Sequence, residues 1–221
     1  MKNKMLLGSV TLLSALMVAA CGNGEKKATE TTAAPTTEVT TATPTTAAPT
    51  TTAPTTTAGG SAEVKKIPIE DSQRIGTADN GYVNVPKDWV EFKEIEGNNP
   101  QQYQYTADGY NVVTLTGYSK DQVKLGKNDT WGAELVANRL YTTYENNSEI
   151  AKIQGTKSKV IGIDAFVIQS LTKDGKYFFT WIFPKGDKVY TVAFDGDKNT
   201  LQKMIDLIEQ SWGLDPKTPG K

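Results

Sequence analysis

The stretch Tyr177-Phe178-Phe179-Thr180-Trp181-Ile182-Phe183 decides the fold, because six of its seven side chains are aromatic or aliphatic. A strand with one solvated face alternates polar and apolar residues, whereas this run carries apolar residues at both odd and even positions. Such a strand needs a cover on each side of its sheet. The sequence therefore predicts a central strand buried between two layers of helices.

Strand and turn signals continue on both sides of this run. Residues 159–161, 165–171 and 188–194 are rich in β-branched and aromatic side chains, and Asp174-Gly175 and Lys185-Gly186 separate the longer runs. A glycine at these positions accepts the positive φ angle of a tight hairpin turn. The second half of the chain is therefore predicted to be a meander of antiparallel strands.

The preceding part of the chain has shorter strand signals. We predict strands at residues 81–86 and 89–92, separated by a Pro-Lys-Asp turn. We also predict a hairpin in which residues 102–106 and 110–115 flank Asp108-Gly109. This part of the chain is therefore predicted to contain two short strands and a hairpin.

Two amphipathic helices are predicted to cover the sheet. The first spans residues 131–144 after a cap at Asp129 or Thr130, and the second spans residues 201–212 after a cap at Asn199. Their apolar positions at helical spacing are Trp131, Leu135, Val136, Leu140 and Tyr144 in the first helix, and Leu201, Met204, Ile205, Ile208 and Trp212 in the second. Gly213 stands just past the end of the second helix. The predicted fold class is α+β, an antiparallel sheet covered by helices in an α/β/α sandwich.

The amino terminus has the features of an export signal. Lys2 and Lys4 precede an uncharged, mostly apolar run over residues 5–20, which is shorter than the roughly 20 residues of a membrane-spanning helix. The run ends in Val18-Ala19-Ala20-Cys21-Gly22, which resembles the lipobox of bacterial lipoproteins at every position. The resemblance implies cleavage between Ala20 and Cys21 and attachment of lipid to the Cys21 thiol.

Residues 1–20 are therefore predicted to be a lipoprotein signal peptide and Cys21 the lipidated residue. Two acyl chains, at about 0.8 kcal/mol for each buried methylene group, hold a protein far more firmly than one chain does. We expect the protein to be anchored to the cell membrane and to face outside the cytoplasm. The alternatives are an uncleaved signal anchor and an ordinary secretory signal with a chance cysteine.

A low-complexity segment separates the anchor from the rest of the chain. Residues 28–57 are nearly all Thr, Ala and Pro, a composition that builds no hydrophobic core. We therefore predict a disordered tether over residues 21–60 and a globular domain over residues 61–217. The tether resembles the spacers of Gram-positive surface lipoproteins, which implies a Gram-positive cell surface. Whether its threonines carry O-linked glycans is left open by the sequence.

Composition excludes several classes of function. The chain has 24 Lys and Arg against 25 Asp and Glu, so it lacks the positive field that binding to nucleic-acid phosphates requires. It contains no histidine, which removes the Ser-His and Cys-His nucleophile systems and every histidine-based metal site. A single cysteine forms no intramolecular disulfide. We predict no catalytic residues, no metal and no cofactor.

The order of features over residues 73–214 resembles the PsbP-like family. Gly81-Tyr82, Val85-Pro86 and Trp89 stand near the start, the aromatic meander follows, and the last helix ends in Ser211-Trp212. The family includes photosystem II extrinsic proteins, a Ran-binding import factor and bacterial lipoproteins, and its members mostly bind other macromolecules or have no assigned function. The resemblance implies an α/β/α sandwich and carries no catalytic signature.

One segment has the ligand spacing of a calcium loop. Asp195-Gly196-Asp197-Lys198-Asn199 offers oxygen ligands at alternating positions, and Asp206 stands where the twelfth-position ligand would fall. Thr200, however, occupies the position that needs glycine, and Asp206 lies inside the predicted second helix. We therefore favour a strand-to-helix turn with a capping residue over a calcium site.

Two further groups of side chains have both a functional and a structural interpretation. Tyr103, Tyr105, Tyr110, Tyr118, Tyr141 and Tyr144 could form an aromatic platform for sugars, although their spacing favours half-buried packing. Glu91, Glu94, Glu96 and Asp164 could supply an acid/base pair, although no spacing singles out two of them.

The functional hypothesis is a non-catalytic, membrane-anchored surface lipoprotein. It presents a PsbP-like binding or assembly module to an envelope protein or cell-wall partner. The alternative is a carbohydrate-binding protein or a carboxylate-dependent envelope enzyme, which predicts a concave pocket with at least one acidic group of strongly perturbed pKa. A solute receptor for a transporter is disfavoured, because such receptors usually need two lobes and a hinge.

Overall fold

A computed structural model describes residues 66–91 and 102–221 of the chain. The predicted signal peptide, Cys21, the tether, Glu94 and Glu96 lie outside these ranges. The elements within them are β1 (Ser72–Thr77), β2 (Gly81–Pro86), β3 (Val90–Glu91), β4 (Gln102–Thr106), β5 (Val112–Tyr118), α1 (Ala133–Glu145), β6 (Ile150–Val160), β7 (Ile163–Thr172), β8 (Tyr177–Lys185), β9 (Lys188–Gly196) and α2 (Lys198–Ser211).

The main sheet contains seven antiparallel strands in the order β3-β4-β5-β9-β8-β7-β6. The aromatic strand β8 lies between β7 and β9, in the interior of the sheet. Strands β1 and β2 form a separate antiparallel hairpin. The predicted α+β class, with an antiparallel sheet covered by helices, is confirmed.

Helix α1 covers one face of the sheet, which we call the α1 face. Its residues Val136, Leu140 and Tyr144 are buried against side chains of β7, β8 and β9. The ring of Tyr144 meets the ring of Phe178 edge-on, with 5.1 Å between their centroids. Aromatic rings prefer this T-shaped arrangement because the positive ring edge meets the negative ring face.

Helix α2 and the β1–β2 hairpin together cover the opposite face, which we call the α2 face. The side chain of Trp212, at the end of α2, is fully buried where the helix, the hairpin and the sheet meet. Its ring centroid lies 4.7 Å from that of Phe183 and 4.9 Å from that of Tyr190. The cover on this side is therefore one helix and a hairpin.

The hairpin is fastened to the carboxyl end of α2 by Arg74 and by the backbone after the helix. The Arg74 guanidinium donates hydrogen bonds to the Ser211 carbonyl at 2.7 Å, the Asp215 carbonyl at 2.9 Å and the Asn84 side chain at 3.0 Å. Burial lowers the pKa of Arg74 from its ordinary value, and Asp215 opposes that effect. Tyr82 and Gly213 exchange two backbone hydrogen bonds, at 2.8 and 2.9 Å.

Two strands differ from the sequence prediction. Strand β1 was not predicted, because Ile75 is its single buried residue and gives no alternating pattern. Strand β6 runs from Ile150 to Val160 instead of over residues 159–161, since most of this outermost strand is exposed and polar.

The turn after β6 is held by helix α2. Ile161 has a φ of 48°, in the left-handed region that β-branched residues rarely adopt. Its backbone N–H donates to the Glu209 carbonyl at 2.7 Å. The Glu209 carboxylate accepts hydrogen bonds from Ser158 at 2.6 Å and from the Trp181 indole at 2.9 Å. One glutamate of α2 therefore binds strands β6 and β8 and the turn that begins β7.

Both predicted helices are present, but both predicted caps are wrong. Helix α1 begins after Gly132 without a side-chain cap, because Asp129 instead binds Arg139 at 2.7 Å and the backbone N–H of Gly126. Helix α2 begins three residues before the first apolar position, and Asp197, rather than Asn199, accepts the free backbone N–H groups of its first turn.

The close packing of Trp212 on Gly81 predicts that substitution by alanine destabilises the protein more at Gly81 than at Gly175. Gly81 has a φ of 74°, and a Cβ added there would lie 2.7 Å from Nε1 of Trp212. Gly175 has a φ of 89° but open space around it. We expect Gly175→Ala to lower the free energy of unfolding by about 1 kcal/mol, from backbone strain alone.

Gly81→Ala should cost about 3 kcal/mol, because overpacking against Trp212 adds to the same backbone strain. Urea unfolding followed by near-ultraviolet circular dichroism measures both values. Equal losses for the two variants would show that the contact with Trp212 does not constrain this position.

Candidate functional site

The segment from Asp195 to Asn199, which has the ligand spacing of a calcium loop, is a strand-to-helix turn, as predicted. Oδ1 of Asp195, at the end of β9, forms a salt bridge of 2.8 Å with Nζ of Lys176, and both side chains are only 12% exposed. The same ammonium group lies 4.8 Å from the ring centroid of Tyr110. The first carboxylate of the pattern is thus engaged by a cation of the protein itself.

The other carboxylates of the pattern are engaged as well. Oδ1 of Asp197 accepts the backbone N–H groups of Asn199 at 2.9 Å and Thr200 at 3.0 Å. Burial alone would raise the pKa of Asp197, but its hydrogen bonds outweigh burial and lower it. Asp206 pairs with Lys66. Across residues 66–91 and 102–221, no three His, Cys, Asp or Glu side chains are grouped to hold a metal ion.

The tyrosines do not share one platform. The five whose side chains are described lie on different sides of the sheet: Tyr118, Tyr141 and Tyr144 on the α1 face, Tyr105 on the α2 face and Tyr110 at the β4–β5 turn. The side chain of Tyr103 lies outside the description. A sugar platform needs rings that face solvent side by side, whereas Tyr118 and Tyr144 are buried. The packing interpretation fits these five positions better.

The described carboxylates of the proposed acid/base group lie far apart in the sheet. Glu91 is exposed on β3 at one edge, and Asp164 lies on β7 next to the opposite edge. The Asp164 carboxylate binds Nζ of Lys159 at 2.5 Å, and this cation lowers the pKa of Asp164. A general acid needs a raised pKa, so the structure gives Asp164 the properties of a surface ion-pair partner.

A cluster of buried hydroxyl groups on the α1 face was missed by sequence reasoning. Its members, each no more than 5% exposed, are Thr116, Tyr118, Tyr144, Ser170, Thr180 and Thr191. Burial raises the pKa of Tyr118 to about 12, and nearby hydroxyl groups offset that effect only in part. The hydroxyl groups of Thr116 and Thr191 lie beside that of Tyr118, and the hydroxyl group of Thr180 lies beside that of Tyr144. Because all six are enclosed, we assign them to the interior and not to a surface that meets a partner.

Strand β6 presents an exposed edge of the main sheet. Of the described strands, only β7 pairs with it, and seven of its eleven residues are exposed. Its register with β7 has one irregularity, between Ile150 and Lys152, and is continuous from there to Val160. The outer side of such a strand offers unpaired backbone N–H and C=O groups to a neighbouring chain.

A groove of about 260 Å³ runs beside this edge, between α1 and β6. It is lined by Ala137, Asn138 and Tyr141 of α1, Gly155, Thr156 and Lys157 of β6, and Phe166, Val167 and Ile168 of β7. A Cβ added at Gly155 would make ordinary van der Waals contact with the Tyr141 ring, at 3.8 Å, so this ring lies directly beside Gly155. We call the exposed edge of β6 together with this groove the β6 surface.

A second groove of about 480 Å³ lies between residues 66–68, the β2–β3 turn, the β4–β5 turn and the start of α2. Its charged residues are Lys66, Asp71, Asp88, Asp108 and Lys203. Several of these charges are already engaged, since Lys66 pairs with Asp206 and Asp108 accepts the backbone N–H groups of Tyr110 and Asn111. Because the groove contains both positively and negatively charged residues, it does not favour a ligand of either charge. The β6 surface is therefore the better candidate for a binding site.

Neither described helix is long and apolar enough to cross a membrane. Helix α2, for example, has charged or polar side chains on its outer face, including Gln202 and Lys203. The part of the chain described by the structure therefore offers no helical membrane span.

Comparisons with known proteins give similarity at the level of solved structures. No family model matches the chain, and no curated protein matches it. Among similar solved structures is CyanoP, the cyanobacterial PsbP from Synechocystis, with 14% identity, a TM-score of 0.41, and alignment over 68% of this chain and 93% of that one.

Two further similar structures come from other bacteria. LpqN, involved in cell envelope biogenesis of Mycobacterium tuberculosis, has 15% identity and a TM-score of 0.32, over 64% of this chain and 91% of LpqN. A protein from Bacteroides thetaiotaomicron has 15% identity and a TM-score of 0.38, over 58% of this chain and 42% of that one.

The capping role of Asp197 predicts a pH-dependent stability. Asp197→Ala should lower the free energy of unfolding by about 1 kcal/mol at neutral pH, because the first turn of α2 loses its acceptor. The pKa of Asp197 is lowered from 3.8 in the folded protein, so the stabilisation by its ionised form is complete above about pH 5. It is lost as the pH falls below 3.8 through the folded-state pKa.

Asp197→Asn keeps an acceptor that does not titrate, so its difference in stability from the wild type should shrink as the pH falls from 7 to 3. Urea midpoints across this range measure the difference, with Asp88→Asn as a control at an exposed aspartate. A difference that stays constant with pH would contradict the assigned role of the Asp197 carboxylate.

Proposed function

We propose that this protein is a non-catalytic binding module, anchored to the cell membrane through lipid on Cys21, which presents its domain to a partner in the cell envelope. The β6 surface is the observation that carries the proposal. Natural proteins usually blunt the edges of their sheets with short strands, bulges, lysines or covering segments. Strand β6 carries three lysines and one register irregularity near its start, yet it is eleven residues long and largely exposed, beside a groove with an aromatic wall.

The proposed anchor rests on the sequence around Cys21. This is the sole cysteine of the 221 residues, and it follows a short apolar run that ends in Val18-Ala19-Ala20. The Thr/Pro/Ala-rich segment after it would let the domain reach partners some distance from the membrane. A flexible chain of about forty residues has an average span of roughly 35 to 40 Å.

The non-catalytic part of the proposal rests on chemistry. The whole chain has no histidine, the side chain most often used as a general base near neutral pH. Hydrogen bonds and nearby cations lower the pKa of several described aspartates, including Asp108, Asp164 and Asp174. Groups of this kind remain ionised and serve poorly as general acids. A carbohydrate-binding role lacks support of this kind, because the tyrosines are spread over the sheet.

Cys21→Ser tests the anchor. Without a thiol to accept lipid, the protein should leave the membrane fraction and appear in the soluble or secreted fraction of the producing cells. Metabolic labelling with an alkyne-bearing fatty acid provides the second readout, since the wild type should be labelled and Cys21→Ser should not. A variant that stays in the membrane and keeps its label would show that the lipid is not on Cys21.

Crosslinking in intact cells tests the binding role. A photo-reactive amino acid placed at Gln154 on β6 should give a discrete crosslinked species. The same residue at Gln202, an exposed glutamine on α2, should not. Both positions replace a glutamine of similar exposure, so the difference reports on the surface and not on accessibility. Equal crosslinking at both positions, or none at either, would contradict the proposed use of the β6 surface.

A further inference from the structure

We propose that the β6 surface binds an extended, acidic polypeptide segment of the partner, which adds to the main sheet as another strand beside β6. This inference rests on the proposed function and names the chemistry and geometry of the same surface. Its first support is the regularity of the edge. From Lys152 to Val160 the register of β6 with β7 is unbroken, and the strand contains no proline. A nine-residue edge exceeds the five or six residues of an average strand.

The two faces of β6 differ, and the groove lies on the α1 face. Gly155 pairs with Ile168, which packs under α1, so Gly155 and its alternate neighbours Ile153 and Lys157 face the same way. A residue of an added strand that stands opposite Gly155 would therefore point along the groove, beside the ring of Tyr141. Gly155 has no side chain of its own to occupy this part of the groove, which leaves the place beside Tyr141 to an apolar residue of the added strand.

The charge of β6 selects the sign of the ligand. The strand carries Lys152, Lys157 and Lys159 and no acidic residue. Lys159 is paired with Asp164, whereas no described carboxylate forms a salt bridge with Lys152 or Lys157. Acidic side chains directly opposite these lysines would form cross-strand pairs of opposite charge, which stabilise antiparallel strands.

The same lysines disfavour a second copy of this chain as the occupant. Pairing β6 with the β6 of another molecule would bring two sets of three lysines together along one edge, and like charges across a strand pair are destabilising. Lysines on an edge strand therefore discourage self-association while they favour an acidic partner. Strand addition combines backbone hydrogen bonds for affinity with side-chain pockets for specificity, as seen in peptide-binding domains.

A set of synthetic peptides tests the proposal on the full chain in detergent. The probe is Thr-Glu-Thr-Leu-Thr-Thr-Glu, so that in an antiparallel pair leucine stands opposite Gly155 and the two glutamates stand opposite Lys157 and Lys152. Fluorescence anisotropy measures its binding. We expect the probe to bind, and a control peptide with lysine in place of both glutamates to bind at least about tenfold more weakly.

N-methylation of the peptide backbone distinguishes strand addition from purely electrostatic binding. A strand bonds its neighbour through the backbone groups of alternate residues only. Methyl groups on one alternate set of amides should therefore abolish binding, and methyl groups on the other set should have little effect. Equal binding of the two methylated peptides would overturn strand addition, as would a failure of the unmodified probe to bind.

Variants of the protein locate the site. The double variant Lys152→Glu, Lys157→Glu should weaken binding by about tenfold or more, because it replaces attraction by repulsion. Lys203→Glu, an exposed charge reversal on α2, should leave binding unchanged. Gly155→Val should weaken binding by filling the groove, and an unchanged melting temperature will show that the variant is folded. Equal effects of the Lys203 and β6 substitutions would overturn the assignment.

The outcomes distinguish this inference from the proposed function on which it rests. Crosslinking from Gln154 in cells without peptide binding would keep the β6 surface as a binding site and reject an acidic strand as its ligand. Sedimentation showing dimers that the Lys152 and Lys157 reversals change would reject the partner segment in favour of a second copy.

Discussion

The burial of Trp212 is the contact on which the rest of the domain depends. Its ring lies against Phe183 and Tyr190 of the sheet and directly over the backbone of Gly81. Helix α2, the β1–β2 hairpin and the main sheet thus meet at one side chain. The only cysteine of the chain is Cys21, so no disulfide within the domain can join these elements. Packing between large aromatic side chains joins these elements instead.

The β8–β9 region and both helices could be predicted because burial leaves a clear pattern in their residues. In β8, aromatic side chains occupy both faces, and in α2, Leu201, Met204 and Ile208 recur at helical spacing. Elements with little burial leave no such pattern. Strand β1 buries only Ile75, and most of β6 is polar and exposed, so the periodicity of these strands is weak although their backbone pairing is regular.

The candidate site likewise could be predicted only where a clear sequence pattern marks it. Cys21 is recognisable because its motif is local and needs no fold around it, whereas the β6 surface is made by the packing of α1 beside β6 and β7, which no short motif encodes. The groove exists because Tyr141 of α1 lies across from Gly155, a relation that neither residue reveals alone. The caps show a similar limit. Asp197 and Asn199 are both good capping residues, and only the path of the backbone decides between them.

The turn at Ile161 has a consequence for the order in which the domain assembles. A β-branched residue in the left-handed region costs about 1 to 2 kcal/mol, so the β6–β7 hairpin is poorly specified by its own turn. Glu209, near the carboxyl end of α2, supplies the hydrogen bonds that hold that turn and the adjacent part of β6. Ser158 and Glu209 are 51 residues apart in the chain, so this end of β6 is held in place only after α2 has packed on the sheet. A partner that recognises β6 would therefore engage molecules in which α2 is in position.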